Sequence, residues 1–354
     1  MMEADTKRGA ARRSASEPAP AGGAVKRTRA GDLGGRAIVL AERNALLVLT
    51  LVVAVFFASW PETADTFPTT ANINNLLADQ TVVGLMALAA IFPLLVGEFD
   101  FSIGYLVAFL SIFNAAAMAR FGLPLGIAIV LTLVIAALIG LVTGLAVSRI
   151  GLPSLVITLA TGTLMSGVVF WYTDGLSIST GISPRLIEFG SNTWFGIPRA
   201  AYLLVLVVAI GWQILERTPA GRYLRFIGSN RDAARLVGVR VERFVTATFV
   251  ISALLSGLAA IALTARNGAA NPGDGPGLLF PAIAAAFLGA TTVRPGQFNV
   301  LGTLVGVFFV ATSVSGLNLA GVEPWVQPVF YGTSLALAVV LSTLLSRRRA
   351  ARQR

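Results

Sequence analysis

Cysteine and histidine occur nowhere in this chain. Their absence removes disulfides, thiol nucleophiles, imidazole bases and the commonest metal ligands together. No catalytic residue, metal site or cofactor is therefore expected. Lysine is almost missing too, since Lys7 and Lys26 are the only examples. A glycine-rich phosphate loop must end in Lys-Ser or Lys-Thr, so the chain does not carry its own ATPase. Charge of any sign is scarce, at 12% of residues, where a soluble domain has about 25%.

What is abundant is apolar: 55% of the 354 residues. A soluble fold of this length needs a polar shell that these residues do not supply, whereas a bilayer lets apolar side chains cover the outside. The formal charge of +10 then reads as arginine on cytoplasmic loops, with no nucleic-acid partner. Met1 to Arg36 are rich in Ala, Gly, Ser and Arg and lack apolar periodicity, so they are expected to form a disordered basic cytoplasmic tail without a signal-peptide pattern. Residues 37–346 are expected to form the membrane domain, and residues 347–354 a second basic cytoplasmic tail.

About ten apolar stretches approach the roughly 20 residues that a helix needs to cross the hydrocarbon. They run from Asn44 to Trp60, Gln80 to Val96, Phe101 to Ala119, Pro124 to Ser148, Pro153 to Tyr172, Ala200 to Leu215, Phe244 to Ala265, Gly277 to Thr292, Phe298 to Leu319, and Trp325 to Ser346. The expected fold is an all-α, multi-pass integral membrane protein with both termini in the cytoplasm. Of the 27 Lys and Arg residues, only Arg120, Arg185, Arg199 and Arg266 then fall outside, as the positive-inside rule requires.

A continuous helix from Gln80 to Ala119 would extend about 60 Å, twice the hydrocarbon thickness. The chain must turn within it, and Gly97-Glu98-Phe99-Asp100-Phe101-Ser102-Ile103-Gly104 carries its only charges and two permissive glycines. Small residues recur at four-residue spacing in several spans, as in Gly140 with Gly144, Gly302 with Gly306, Gly162 with Ser166, and Ser252 with Ser256. Such spacing lets helices approach closely but identifies no transporter class.

The segment from Glu216 to Arg243 is longer and more basic than a hairpin needs. Ser229 with Asp232 resembles a capping box, and Gly238 suits a helix stop, so a short helix is expected to lie on the cytoplasmic face. One reading is an amphipathic helix whose arginines meet anionic lipid. The other follows from a family likeness. Gly221, Arg222, Gly228, Asn230, Ala233, Ala234 and Gly238 match a Gly-Arg, Gly-x-Asn-x-x-Ala-Ala, Gly pattern, in which this segment resembles the monosaccharide (ribose, xylose, galactose) type of bacterial ABC-transporter permease, within the branched-chain amino acid/sugar permease superfamily.

Three more stretches resemble that family in the same order: Phe67 to Asn72 leading to Gly97–Gly104, Gly151-Leu152-Pro153 with Val156 to Thr161, and Gly302 to Gly306 through Gly316 to Leu319. Departures are Glu98 in place of Gly, Phe99 and Phe101 in place of smaller aliphatics, and Ala160 in place of Gly. The resemblance implies a coupling helix that docks on a separate cytoplasmic ATP-binding cassette subunit. Ala233 and Ala234 would let it seat closely, and Arg231 and Arg235 would meet acidic groups there. It further implies an extracytoplasmic solute-binding protein docking on Asp174 to Arg199 and Arg266 to Gly277, and a second permease subunit forming a homodimer or heterodimer.

Under this reading the chain sits in the bacterial plasma membrane and imports a monosaccharide or similar small polar solute, with ATP hydrolysed on other chains. Candidates for the translocation path or family signature are Glu98, Asp100, Ser102, Asn114, Thr158, Thr161 and Asn318. Each has a second role open to it, bonding a neighbouring helix or holding turn backbone. The rival class is a secondary transporter driven by an ion gradient, which needs an ionisable group or ion site near the bilayer midplane. Apart from Glu98 and Asp100, the acidic residues lie in tails, loops or span ends such as Asp79. An intramembrane enzyme would need Ser with Lys, or paired Asp, within the spans, and neither is present.

Overall fold

The computed structural model describes the backbone of residues 29–352 and the side chains of residues 44–344. The expected N-terminal tail lies outside the described residues up to residue 28, while residues 29–36 begin a helix. Residues 347–352 of the expected C-terminal tail continue the last helix. The contacts discussed below lie within residues 40–354, one compact unit.

Helix α1 (Arg29–Ser59) is followed by α2 (Thr70–Leu95), α3 (Ile103–Ala119), α4 (Leu125–Leu145), α5 (Ser154–Thr173) and the short α6 (Pro184–Ser191). An antiparallel hairpin of β1 (Thr193–Trp194) and β2 (Ile197–Pro198) pairs Trp194 with Ile197 and leads into α7 (Arg199–Trp212). Two short helices come next, α8 (Pro219–Ser229) and α9 (Arg231–Leu236), then α10 (Val241–Asn267), α11 (Asp274–Gly277), α12 (Leu279–Gly289), α13 (Val300–Leu319) and α14 (Val326–Arg352).

Among the described residues, seven helices are long and apolar enough to cross a bilayer, and three shorter apolar helices cover Asn44–Ser59, Ile103–Ala119 and Asp274–Gly289. The molecule is an all-α, multi-pass membrane protein with one small hairpin. Every expected apolar stretch falls on one of these helices. Two helices begin well before their expected limits: α1 at Arg29 instead of Asn44, and α2 at Thr70 instead of Gln80, where Asn72, Asn75 and Asp79 dilute the hydropathy of the first turns.

Helices α2 and α10 form the centre. The apolar window of α2 is 78% buried, whereas those of α4 and α5 are 22% buried, so these two turn most of their apolar surface outward. On α4 the buried residues Ala128, Thr132, Ala136, Gly140 and Gly144 recur every fourth position and form a narrow face of small side chains. That face lies on α10, where a Cβ on Gly140 would meet the Phe249 carbonyl oxygen at 2.6 Å. Val130, Val134, Leu138 and Leu141 point the other way. Small side chains toward protein and large ones outward is the arrangement expected in lipid, where close backbone approach, not hydrophobic exclusion, holds helices together.

The two ends of the bundle differ. One carries the hairpin, the start of α2 and the end of α10, joined by the Arg266 to Asp79 ion pair at 2.8 Å. The other carries α8, α9, the end of α2 and the start of α10. Two spans are interrupted. Between α2 and α3 the chain turns at Gly97, with φ of +80°, as expected from the sequence. Between α10 and α12 it folds back through α11, whose Gly275 lies backbone to backbone against Gly104.

Candidate functional site

The turn after α2 is a closed hydrogen-bonded unit. Asp100 Oδ1 accepts from the Ser102 backbone N–H (3.0 Å) and from Ser102 Oγ (2.5 Å), while Oδ2 accepts from Ser252 Oγ on α10 (2.7 Å). A buried carboxylate is costly unless hydroxyl and amide donors replace its water, and both of its oxygens are satisfied here. On the other side, Ser154 Oγ accepts from the Phe99 N–H and Thr158 Oγ1 from the Phe101 N–H, both at 3.2 Å. Asp100, Ser102 and Thr158 therefore fix this turn between α5 and α10.

Glu98 reaches away from that unit to α9. Arg231 donates to Glu98 Oε1 at 2.6 Å and to the Val96 carbonyl at 3.2 Å. Beside this pair the backbone of Gly228 lies directly on the Leu95 carbonyl oxygen, leaving no room for a Cβ. Gly221 makes the same kind of approach to Leu215. Glu216, in the π-helical turn Gln213–Arg217 that follows α7, takes Arg225 of α8 at 2.5 Å and also pairs with Arg294 from the loop before α13.

Several expectations for this segment change. The cap of α9 is Asn230, whose side chain accepts from the Ala233 N–H at 2.9 Å, and not the Ser229–Asp232 box; Ser229 ends α8 instead. Asn230 is extended at φ −155°, the cap conformation, and its side-chain oxygen closes the first turn of α9. Ala234 is fully buried within the chain, so its small size seats α9 on its own body. Arg235 is paired inside the chain too, with Glu242 at 3.0 Å. Arg222 is exposed, and Gly238 ends the segment with φ of +82°. What α9 presents outward is Leu236, 89% exposed, and Val237, 69% exposed, a feature that sequence reasoning missed.

At the hairpin end a cleft of about 440 Å³ opens between α2, α10, α12, α13 and α14. Its mouth is polar, with Asn72, Asn75, Asp79, Gln80, Arg266 and Asn318, and its floor is apolar, with Val82, Val83, Leu278 and Val310. Of the residues expected along a path, Asn318 alone lines it. Asn114 is buried and donates to Thr132 Oγ1 at 3.1 Å, joining α3 to α4. Thr161 bonds the Ile157 carbonyl of its own helix at 2.8 Å. The available signal for the cleft was Asn72, Asn75 and Asp79 at helical spacing, in a segment whose polarity had excluded it from a span.

Curated proteins similar to this chain are permeases. The ribose import permease protein of Haemophilus influenzae is 30% identical over 88% of this chain and 95% of its own length. That of Bacillus subtilis is 34% identical over 84% and 90%. The D-allose transport system permease protein of Escherichia coli is 30% identical over 86% and 92%. No solved structure matches. A family described as branched-chain amino acid transport system, permease component, matches residues 72–339, from the first polar turn of α2 into α14, and this chain belongs to it.

Proposed function

We propose that the chain is the membrane-spanning subunit of an ATP-binding cassette importer in the bacterial plasma membrane, carrying a monosaccharide or similar small polar solute. The relatives named for ribose and D-allose support the solute class. In this reading the spans number about ten, both termini are cytoplasmic, and the α9 end faces the cytoplasm. The outward apolar surfaces of α4, α5 and α14 serve lipid and a second permease subunit. A solute-binding protein docks at the hairpin end, where the loops Asp174 to Arg199 and Arg266 to Gly277 are joined by reciprocal Ile178 and Ala270 hydrogen bonds of 2.9 Å.

The observation that carries this reading is the apolar tip of α9, Leu236 and Val237, exposed on an otherwise charged segment. Two adjacent large apolar side chains facing water favour a protein partner, and here that partner is the ATPase subunit. Closure of the ATPase dimer would displace α8 and α9, and the Glu98–Arg231 pair would pass that displacement to the turn between α2 and α3. No chemistry is performed on the solute by this chain. An ion-gradient carrier would rely on Asp100, whose two oxygens are already taken by Ser102 and Ser252.

The test is copurification. Leu236→Asp combined with Val237→Asp is expected to abolish ATPase association while the permease remains membrane-inserted and monodisperse. Unchanged copurification would overturn the docking role, and gradient-driven uptake by the isolated chain without an ATPase would favour the rival class.

A further inference from the structure

The cleft at the hairpin end has a chemistry more specific than its size. Its two opposite charges are closed on each other: Arg266 Nε donates to Asp79 Oδ1 at 2.8 Å, and Arg266 Nη2 donates to Asn75 Oδ1 at 3.1 Å. Asn72 is likewise engaged, donating to the Phe67 carbonyl at 2.8 Å and accepting from Ser315 at 3.1 Å. Those bonds fix the frame. The remaining hydrogen-bonding capacity is carried by neutral groups, because the side chains of Gln80 and Tyr331 make no hydrogen bond among the described residues and those of Asn75 and Asn318 engage only their carbonyl oxygens. Beneath them Val83, Val310 and Val314 present an apolar wall.

We propose that this cleft is the solute-contact site of the permease, and that it takes a neutral polyhydroxylated ring, a monosaccharide, with carboxamides on the hydroxyls and the valine wall against the C–H face. A zwitterionic amino acid requires a cation and an anion that are available to it, and here both are committed to one another. A free cation would meet a carboxylate already neutralised by Arg266. A sugar needs several neutral donors and acceptors on one edge and apolar area on the other, and must bind weakly enough to leave. From Asn72 to Val83 along α2 the cleft descends about 16 Å, roughly half of the hydrocarbon thickness. It therefore receives solute at the surface and delivers it near the level of the interrupted helices.

The inference rests on the importer reading above, and the experiment separates the two. Because the chain contains no cysteine, single cysteines can be placed without background. Membrane vesicles holding the permease with its ATPase and solute-binding partners would carry Asn75→Cys or Asn318→Cys, with Trp171→Cys as a control outside the cleft. Labelling by an impermeant maleimide is followed with D-ribose, D-allose or L-leucine present, and uptake of each is measured in parallel. The expected result is that a transported sugar slows labelling at positions 75 and 318 but not at 171. In addition, Gln80→Ala and Asn318→Ala, each removing an amide, should lower uptake at limiting sugar about fivefold. Vesicles that accumulate a sugar with no protection at either cleft position overturn the site alone. Protection and uptake with leucine in place of the sugars overturn the solute class. ATP-dependent uptake of none of the probes overturns the importer reading on which the site rests.

Discussion

The two ends of this bundle use their polar side chains in opposite ways. At the α9 end, Glu98, Glu216 and Glu242 each hold arginine from another element or from the adjoining segment, and Gly228 brings α8 onto the end of α2. At the hairpin end one ion pair is closed and a row of amides and a phenol is left with capacity to spare. The first arrangement transmits position, since each contact has a fixed geometry. The second accommodates a visitor, since its groups lose little when a solute replaces water.

Three experiments would break or sharpen that contrast. The largest effect is expected at the α12–α13 contact near the α9 end, where Gly306 lies against the Ala285 carbonyl. Gly306→Leu should push these helices apart and cost about 3 kcal/mol or more, seen as loss of monodisperse protein and a lower unfolding temperature in detergent. Gly167→Leu on α5, where nothing lies within 4 Å, should be tolerated. Equal behaviour of the two would refute the proposed rigidity. Next in size, Glu98→Arg places like charges together, so ATP-driven uptake should fall about tenfold or more. The exchange Glu98→Arg with Arg231→Glu should recover part of it, and a double exchange no better than the single change would deny the pair a transmitting role. The smallest effect is expected at the exposed pair of the hairpin end, where Asp79→Asn should change stability by less than about 1 kcal/mol. A larger loss of unfolding temperature would mean that the hairpin end is as tightly braced as the other.

Most of the helical body was legible because lipid imposes long apolar runs that chance does not imitate, and the break near Gly97 followed from length together with the only charges and two glycines of that stretch. Three things were not. The first turns of α2 were hidden because Asn72, Asn75 and Asp79, which later line the cleft, made them look like a loop. The cap of α9 was misplaced by one residue, since Ser229, Asn230 and Asp232 are all good capping residues and only the local backbone chooses between them. The inward side of Ala234 and the outward side of Leu236 depend on how α9 rotates against its own chain, which a six-residue helix does not encode as a periodic pattern. Among the candidate site residues, Glu98 stood out as one of two charges in the turn after α2, but its partner Arg231 lay 133 positions away.

The contact between Gly104 and Gly275 has a final implication. A side-chain interface changes state by exchanging rotamers, each with its own cavity and its own barrier. Where main chain meets main chain there is no rotamer to exchange, so the spacing between α11 and the start of α3 has a single value set by the two glycines. Even a methyl group on Gly104 would stand 2.9 Å from the Gly275 carbonyl oxygen and force α3 and α11 apart.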